Sequence, residues 1–440
     1  MRTIDLGEVT RGTVVPVPGP RLDLRLARRF ALAAMVLLTV LTATGSARPE
    51  PRGVRPLWTT PFRDGDALYT TDTMAYVGRT AAGGATLTAY DLATGKLRWT
   101  APTGETVTNL TPAGAAGMLL IPDAFADVRR RLADGSNLVS VVITGTAGRD
   151  AGTGELLWRG PGEALEVDDA TTLLGDHDDQ GGVTRLRLVR LRDGGTIWTR
   201  ETPGLQEWAI STIAGRPAEL ITATGRGELT ILRYADGTLL RTGRVPWVTG
   251  QAEAGVYAVL TTTPGHLLVT RSLADGRVTT VYRLDDLAEL WHTGGDVADC
   301  GPVICVLDGI TLNGRDPATG ARRWHLPGIG GVSWAGDDRV LAASARQDGS
   351  YRVVDAATGR PVGDAVSGFG TWVGQPGRSV LLLRDTAETP PRSAVIRLDL
   401  ATGAQFLMGA VRRTGQFGCA GVRAYLVCLN GRELDVTAVG

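Results

Sequence analysis

Lysine is almost missing from this 440-residue chain: of 46 basic residues, one is Lys96 and the other 45 are arginines. Acidic residues also number 46, so the net charge is zero and electrostatics offer no reason to expect a nucleic-acid partner. The arginine excess, with abundant Ala and Gly, reads as codon bias rather than as function. Aromatic residues make up only 5 %, so Val, Leu, Ile and Thr must carry most strand packing. No Gly-x-Ser-x-Gly elbow, His-Glu-x-x-His helix or phosphate-binding glycine loop occurs, which removes the sequence marks of three large enzyme classes. Four histidines (His177, His266, His292, His325) lie away from the cysteines, so no zinc pattern forms.

Long apolar runs are missing too, with one exception. Residues 1–29 form a polar, Pro-bearing head expected to be disordered and cytoplasmic, ending in Arg21, Arg25, Arg28 and Arg29. The run Phe30-Ala-Leu-Ala-Ala-Met-Val-Leu-Leu-Thr-Val-Leu-Thr-Ala-Thr44 follows, then Gly45-Ser-Ala47. Residues 30–47 are expected to form one hydrophobic helix. It is either a single-span membrane anchor at the short end of the usual length or a signal segment removed after Ala47. No cysteine follows, so lipid attachment is not expected. Residues 48–56 read as a Pro/Arg linker, and either outcome exports what comes next, residues 57–440.

That remainder is built on a repeat. Asp91-Leu-Ala-Thr-Gly95-Lys-Leu-Arg-Trp99 returns as Asp150…Gly154…Trp158 and Asp316…Gly320…Trp324. Asp355…Gly359 and Asp399…Gly403 keep the turn and lose the tryptophan, while Asp193, Asp236 and Asp286 begin weaker copies. Strand-like residues such as Ala85–Tyr90, Leu138–Ile143 and Ser393–Leu398 precede several copies. The Thr-Gly step supplies a left-handed turn and the aspartate can accept backbone amides across it. Each copy is thus a tight hairpin ending in a large aromatic. Six of ten tryptophans (Trp58, Trp99, Trp158, Trp198, Trp291, Trp324) take that place, which suggests packing between repeats.

Spacings of 33 to 59 residues, mostly near 40, predict an all-β β-propeller of four-stranded blades. Eight blades are expected, with seven or nine open. Leu57-Trp58 opens a post-turn strand without a turn, whereas Glu433-Leu-Asp-Val436 opens a pre-turn strand without a successor. The N-terminal strand is therefore expected to complete the last blade and close the ring, hiding its sheet edges.

The Asp-x-x-Thr-Gly-x-x-x-Trp signature, as in Asp91–Trp99, resembles the PQQ-like repeat of quinoprotein-type propellers. The resemblance implies an eight-bladed ring, shared by quinone-dependent dehydrogenases and by non-catalytic propellers such as the outer-membrane assembly type. In the dehydrogenases it implies a calcium ion, an aspartate base and a quinone held between a tryptophan and a vicinal disulfide. Here no two cysteines are adjacent, and no set of Glu, Asn and Asp carries over. Neither cofactor nor catalytic residue is expected.

Cys300/Cys305 and Cys419/Cys428 form two local pairs. Three connectivities exist, and similar placement in two repeats favours the local one, each bond tying adjacent strands of a blade in an oxidising compartment. Asp176-x-Asp178-x-Gln-Gly181 starts like a calcium loop but has Arg187 where a bidentate glutamate is needed, so an acidic turn is expected and any metal role of Asp176 and Asp178 is weak. Ala126–Arg131 is expected to be a loop on one face. The reading that results is a membrane-tethered, extracytoplasmic, non-catalytic binding scaffold for a protein or cell-envelope ligand, or the same propeller secreted. A quinone-dependent oxidoreductase and an envelope assembly factor are the alternatives.

Overall fold

In the computed structural model the described residues are 53–440, less 83, 105, 107–108, 132–135, 251–254, 337, 347, 372–377 and 415–417; Met35 alone is described before them. The polar head, the hydrophobic segment 30–47 (Met35 apart) and most of the expected linker lie outside the described residues. Among the described residues no helix is long and apolar enough to cross a membrane.

The described strands form nine four-stranded antiparallel sheets, so the protein is a nine-bladed propeller rather than the expected eight. Blade 1 comprises Ala67–Thr70, Met74–Ala81, Gly84–Asp91 and Leu97–Thr103, paired in that order. Blades 2 to 8 repeat the plan over 111–161, 163–201, 205–244, 257–294, 296–327, 329–367 and 369–412. First strands of neighbouring blades touch (2 with 3, 4 with 5, 6 with 7, 8 with 9), which places them around the central axis. Blade 9 supplies Cys419–Val422, Tyr425–Asn430 and Glu433–Val439, and takes Val54–Pro61 as its fourth strand. Val54 faces Val439, and the Gly440 N–H donates to the Gly53 carbonyl at 3.0 Å. That strand begins three residues ahead of Leu57.

The ninth blade was hidden by a change of turn chemistry. In full copies the glycine N–H donates to the carbonyl of the leading aspartate, as from Gly95 to Asp91 and from Gly320 to Asp316. The same bond runs from Gly194 to Arg190, Gly237 to Arg233 and Leu287 to Arg283. Each weak copy therefore starts at an arginine, with its aspartate in the threonine's place, and Arg190–Asp193, Arg233–Asp236 and Arg283–Asp286 ion pairs span the turn. All three are blade turns.

Tryptophans join the blades. The indole N–H of Trp99 donates to the Ala151 carbonyl at 3.1 Å, and its ring lies where a Cβ on Gly154 would stand. Trp58 meets Gly95 and Leu92 in the same way, Trp158 meets Gly194 and Leu191, and Trp198 meets Gly237 and Tyr234. Trp291 with Gly320 and Pro317, and Trp324 with Gly359 and Ala356, complete the set. A side chain at those glycines would collide with the ring, so Gly is needed twice over: for a positive φ and for the close approach.

Three joints depart from the rule. Between blades 4 and 5, Arg241 replaces tryptophan and donates to the Leu284 carbonyl, while Leu287, at φ 58°, replaces glycine and fills the space. Between blades 7 and 8, Gly363 approaches Gly403 backbone to backbone. Between blades 8 and 9, Met408 packs on Gly53.

Both disulfides pair locally and tie the first and second strands of a blade, in blades 6 and 9. Their placement is not equivalent. Cys300 follows its first strand and Cys305 lies near the start of the second, whereas Cys419 opens its first strand and Cys428 lies near the end of the second. One bond therefore sits at each end of the blade. Ala126–Arg131 is not a loop either: it is the outer half of strand Met118–Arg131, paired with Asn137–Asp150 as a long ribbon.

Candidate functional site

Antiparallel order gives the ring two unlike faces. One carries the eight turns between third and fourth strands, together with Gly53 and Gly440. There the repeated aspartates are engaged by the fold. Asp91 Oδ1 accepts the Thr94 N–H at 2.9 Å and hydroxyl at 2.8 Å, and Oδ2 pairs with Arg98. Asp316 repeats this with Thr319 and Arg323, and the Arg323 guanidinium and the turn bonds hold its carboxyl down at about 2. The carboxyls of Asp91 (chiefly by Arg98), Asp355 (by Thr358) and Asp399 (by Thr402) are lowered likewise. Asp150 accepts the amides of Gly152 and Thr153. The residues singled out in the repeats thus take part in contacts within and between blades.

The opposite face, where second strands turn into third strands, holds the irregular features. The blade 2 ribbon projects there past its neighbouring strands, with Val139 and Val141 exposed at 55 % and 64 %. Its Val128 and Val142 lie against the 178–182 hairpin of blade 3, both 3.6 Å from where a Gly181 Cβ would stand.

Beside that hairpin, a cleft of about 340 Å³ opens between blades 3 and 4. Glu163 comes from the first strand of blade 3, His177 from the end of its second, and Gln206 and Trp208 from the first strand of blade 4. Leu165, Val183 and Leu205 form its apolar side. His177 Nε2 lies 2.8 Å from Glu163 Oε2 and Nδ1 lies 3.2 Å from the Gly181 carbonyl. Both partners are acceptors, so both bonds together require a doubly protonated ring. Consistently, the Glu163 carboxylate first of all, opposed by burial, raises the His177 pKa above 6.5.

Trp208, like Trp247 and Trp334, is not a joint tryptophan, and its indole N–H has no hydrogen-bond partner among the described residues. The Gln206 amide also lacks one, as does Glu163 Oε1. Next to Gln206, burial alone raises Glu207 to about 7, again with no partner among the described residues. On first strands elsewhere, burial also raises the Glu166 and Asp299 carboxyls.

The candidate calcium loop is an acidic turn. Asp176 Oδ1 pairs with Arg187 at 2.6 Å, and Asp178 Oδ1 accepts the Gln180 and Gly182 amides. Arg187, where a bidentate ligand would stand, neutralises the site instead. Among the described residues no group of three His, Cys, Asp or Glu could hold a metal ion. The quinone site of the dehydrogenases does not fit these residues either: both disulfides join strands across several residues, so no vicinal pair is present to face a tryptophan.

No protein-family model and no curated protein matches the chain. Among solved structures, one described as a eukaryotic initiation factor is similar at TM-score 0.52 and 12 % identity, over 84 % of this chain and 92 % of that one. BamB from Moraxella catarrhalis is similar at 0.40 and 11 %, over 88 % and 97 %. The dihydro-heme d1 dehydrogenase NirN is similar at 0.42 and 14 %, over 68 % and 65 %. The likeness to the initiation factor is one of fold alone.

Proposed function

We propose that this propeller is a non-catalytic binding scaffold, held at the outer side of a membrane by residues 30–47 or released after their removal. It presents the ribbon and cleft to a protein or cell-envelope ligand. The carrying observation is the projecting ribbon of blade 2 with the cleft beside it. On the face with the Thr-Gly turns, repeated aspartates are satisfied by threonine, arginine and backbone amides. On the other face lie the projecting ribbon, with Val139 and Val141 exposed, and a cleft with polar groups that no described residue partners, features that favour recognition rather than stability. The two disulfides support an oxidising, extracytoplasmic location.

Thermal melting of the full chain with pyrroloquinoline quinone and calcium chloride separates this reading from a quinone oxidoreductase. A ligand at a hundredfold excess over its Kd adds about 2.7 kcal/mol of apparent stability. The scaffold reading expects an unchanged Tm, and a clear rise would overturn it.

A further inference from the structure

We propose that the cleft between blades 3 and 4 binds a saccharide unit carrying an acetamido group, a ligand of the N-acetylhexosamine class. This inference rests on the scaffold reading and names a ligand for it.

Five observations converge. At about 340 Å³ the cleft sits at the small end of the range for small-molecule sites, enough for one substituted pyranose. Trp208 lines it with an amphipathic ring whose N–H no described residue accepts, whereas every joint tryptophan spends that hydrogen on a carbonyl. An aromatic surface of this kind suits the C–H face of a pyranose while its polar edge stays available. The polar rim offers groups of both sorts for hydroxyls: the Gln206 amide donates and accepts, and Glu163 Oε1 accepts. Glu163 and His177 are paired with each other, so neither is left as a lone charge for an anionic or cationic ligand. Leu165, Val183 and Leu205 then make one wall apolar, which a sugar of hydroxyls alone would leave unused and an acetyl methyl would cover.

The same pairing fixes the rim. Glu163 Oε2 is held by His177, whose other nitrogen is held by Gly181, so Oε1 is presented by a side chain already anchored in two steps. A pre-positioned acceptor costs less ordering on binding.

Saturation-transfer NMR and calorimetry on the full-length protein with N,N′-diacetylchitobiose and with maltotriose test this. The expected result is chitobiose binding with strongest transfer to an acetyl methyl, and a Kd at least tenfold weaker for maltotriose. Gln206→Ala, an exposed position, should weaken chitobiose tenfold or more, as should Trp208→Ala if its melting curve shows a folded ring. Trp334→Ala in blade 7, 45 % exposed and outside the cleft, should stay within twofold of the parent. Absence of transfer from chitobiose, an unchanged Kd in Gln206→Ala, or equal binding of maltotriose would overturn the proposal. Those failures leave the scaffold reading standing, because its own test is the response to quinone and calcium.

Discussion

At the residue scale, stability rests on a two-part contact made again and again: an indole ring over a glycine, with its N–H on the neighbouring blade's carbonyl. Trp99 and Trp324 are 9 % and 8 % exposed, so Trp99→Ala or Trp324→Ala removes a large buried ring and leaves a cavity. Each should cost about 3–5 kcal/mol in urea unfolding of a variant that still folds, and parent-like stability would refute the joint. Gly154→Ala should be comparably harmful, because φ is +74° and the added methyl would meet Trp99. Acidity acts in two directions. The lowered carboxyls of Asp91, Asp316, Asp355 and Asp399 add stability that is fully present above the unfolded value near 3.8 and lost as pH falls through the folded one, about 2 for Asp316. Glu207 has the opposite sign: its folded pKa is raised to about 7, so stability is present below 4.5 and lost as pH rises through 7. Glu207→Gln should therefore raise Tm at pH 8 and leave it unchanged at pH 4. A Tm unchanged at pH 8 would contradict the burial of that carboxylate.

At the element scale, the blade turn tolerates two chemistries. Asp-x-x-Thr-Gly and Arg-x-x-Asp-Gly both close the same backbone bond, one by threonine and amides on a carboxylate, the other by an ion pair across the turn. That equivalence explains what was readable in the chain. The full copies fixed blade architecture, the tryptophan joints and the closing strand, because one residue type recurs at one spacing. The weak copies show only their aspartates, three residues past the turn's true start, so the spacing predicts one blade too few. The ribbon reads as a loop in sequence because its basic tip resembles a solvated turn, although Leu138–Ile143 reads as a strand. The cleft left no trace at all: Glu163, His177, Gln206 and Trp208 come from three strands of two blades, and nothing in the spacing of Trp208 sets it apart. The odd joint of blades 4 and 5 offers a constructive test. Arg241→Trp alone should destabilise, since Leu287 occupies the ring's place and Glu219 loses its partner. Adding Leu287→Gly should recover part of the loss by rebuilding the common joint. Additive losses in the double variant, measured by denaturant unfolding, would show that this interface is built differently.

At the scale of the whole molecule, nine blades close through a strand taken from the other end of the chain. Pairing of Val54–Pro61 with Glu433–Val439 gives the ninth blade its fourth strand from the other end of the chain. Arg412 braces it by bridging blade 8 to Glu433 and Asp435. The disulfides close loops of only 5 and 9 residues in sequence separation, so each should contribute about 2 kcal/mol. Reduction should lower Tm without opening the ring, and native gel mobility under reducing conditions checks this. Closure also sorts the surface. Both chain ends of the ring meet on the face of the Thr-Gly turns, and the opposite face is left to the ribbon and the cleft. The central claim is that this second face is where ligands are met. Its most direct test is photocrosslinking on intact cells, with a photoreactive side chain at exposed Ser140 on the ribbon or at exposed Thr94 among the turns. Defined adducts from position 140 and none from position 94 are the expected result. Adducts confined to position 94 would place recognition on the wrong face and contradict the account.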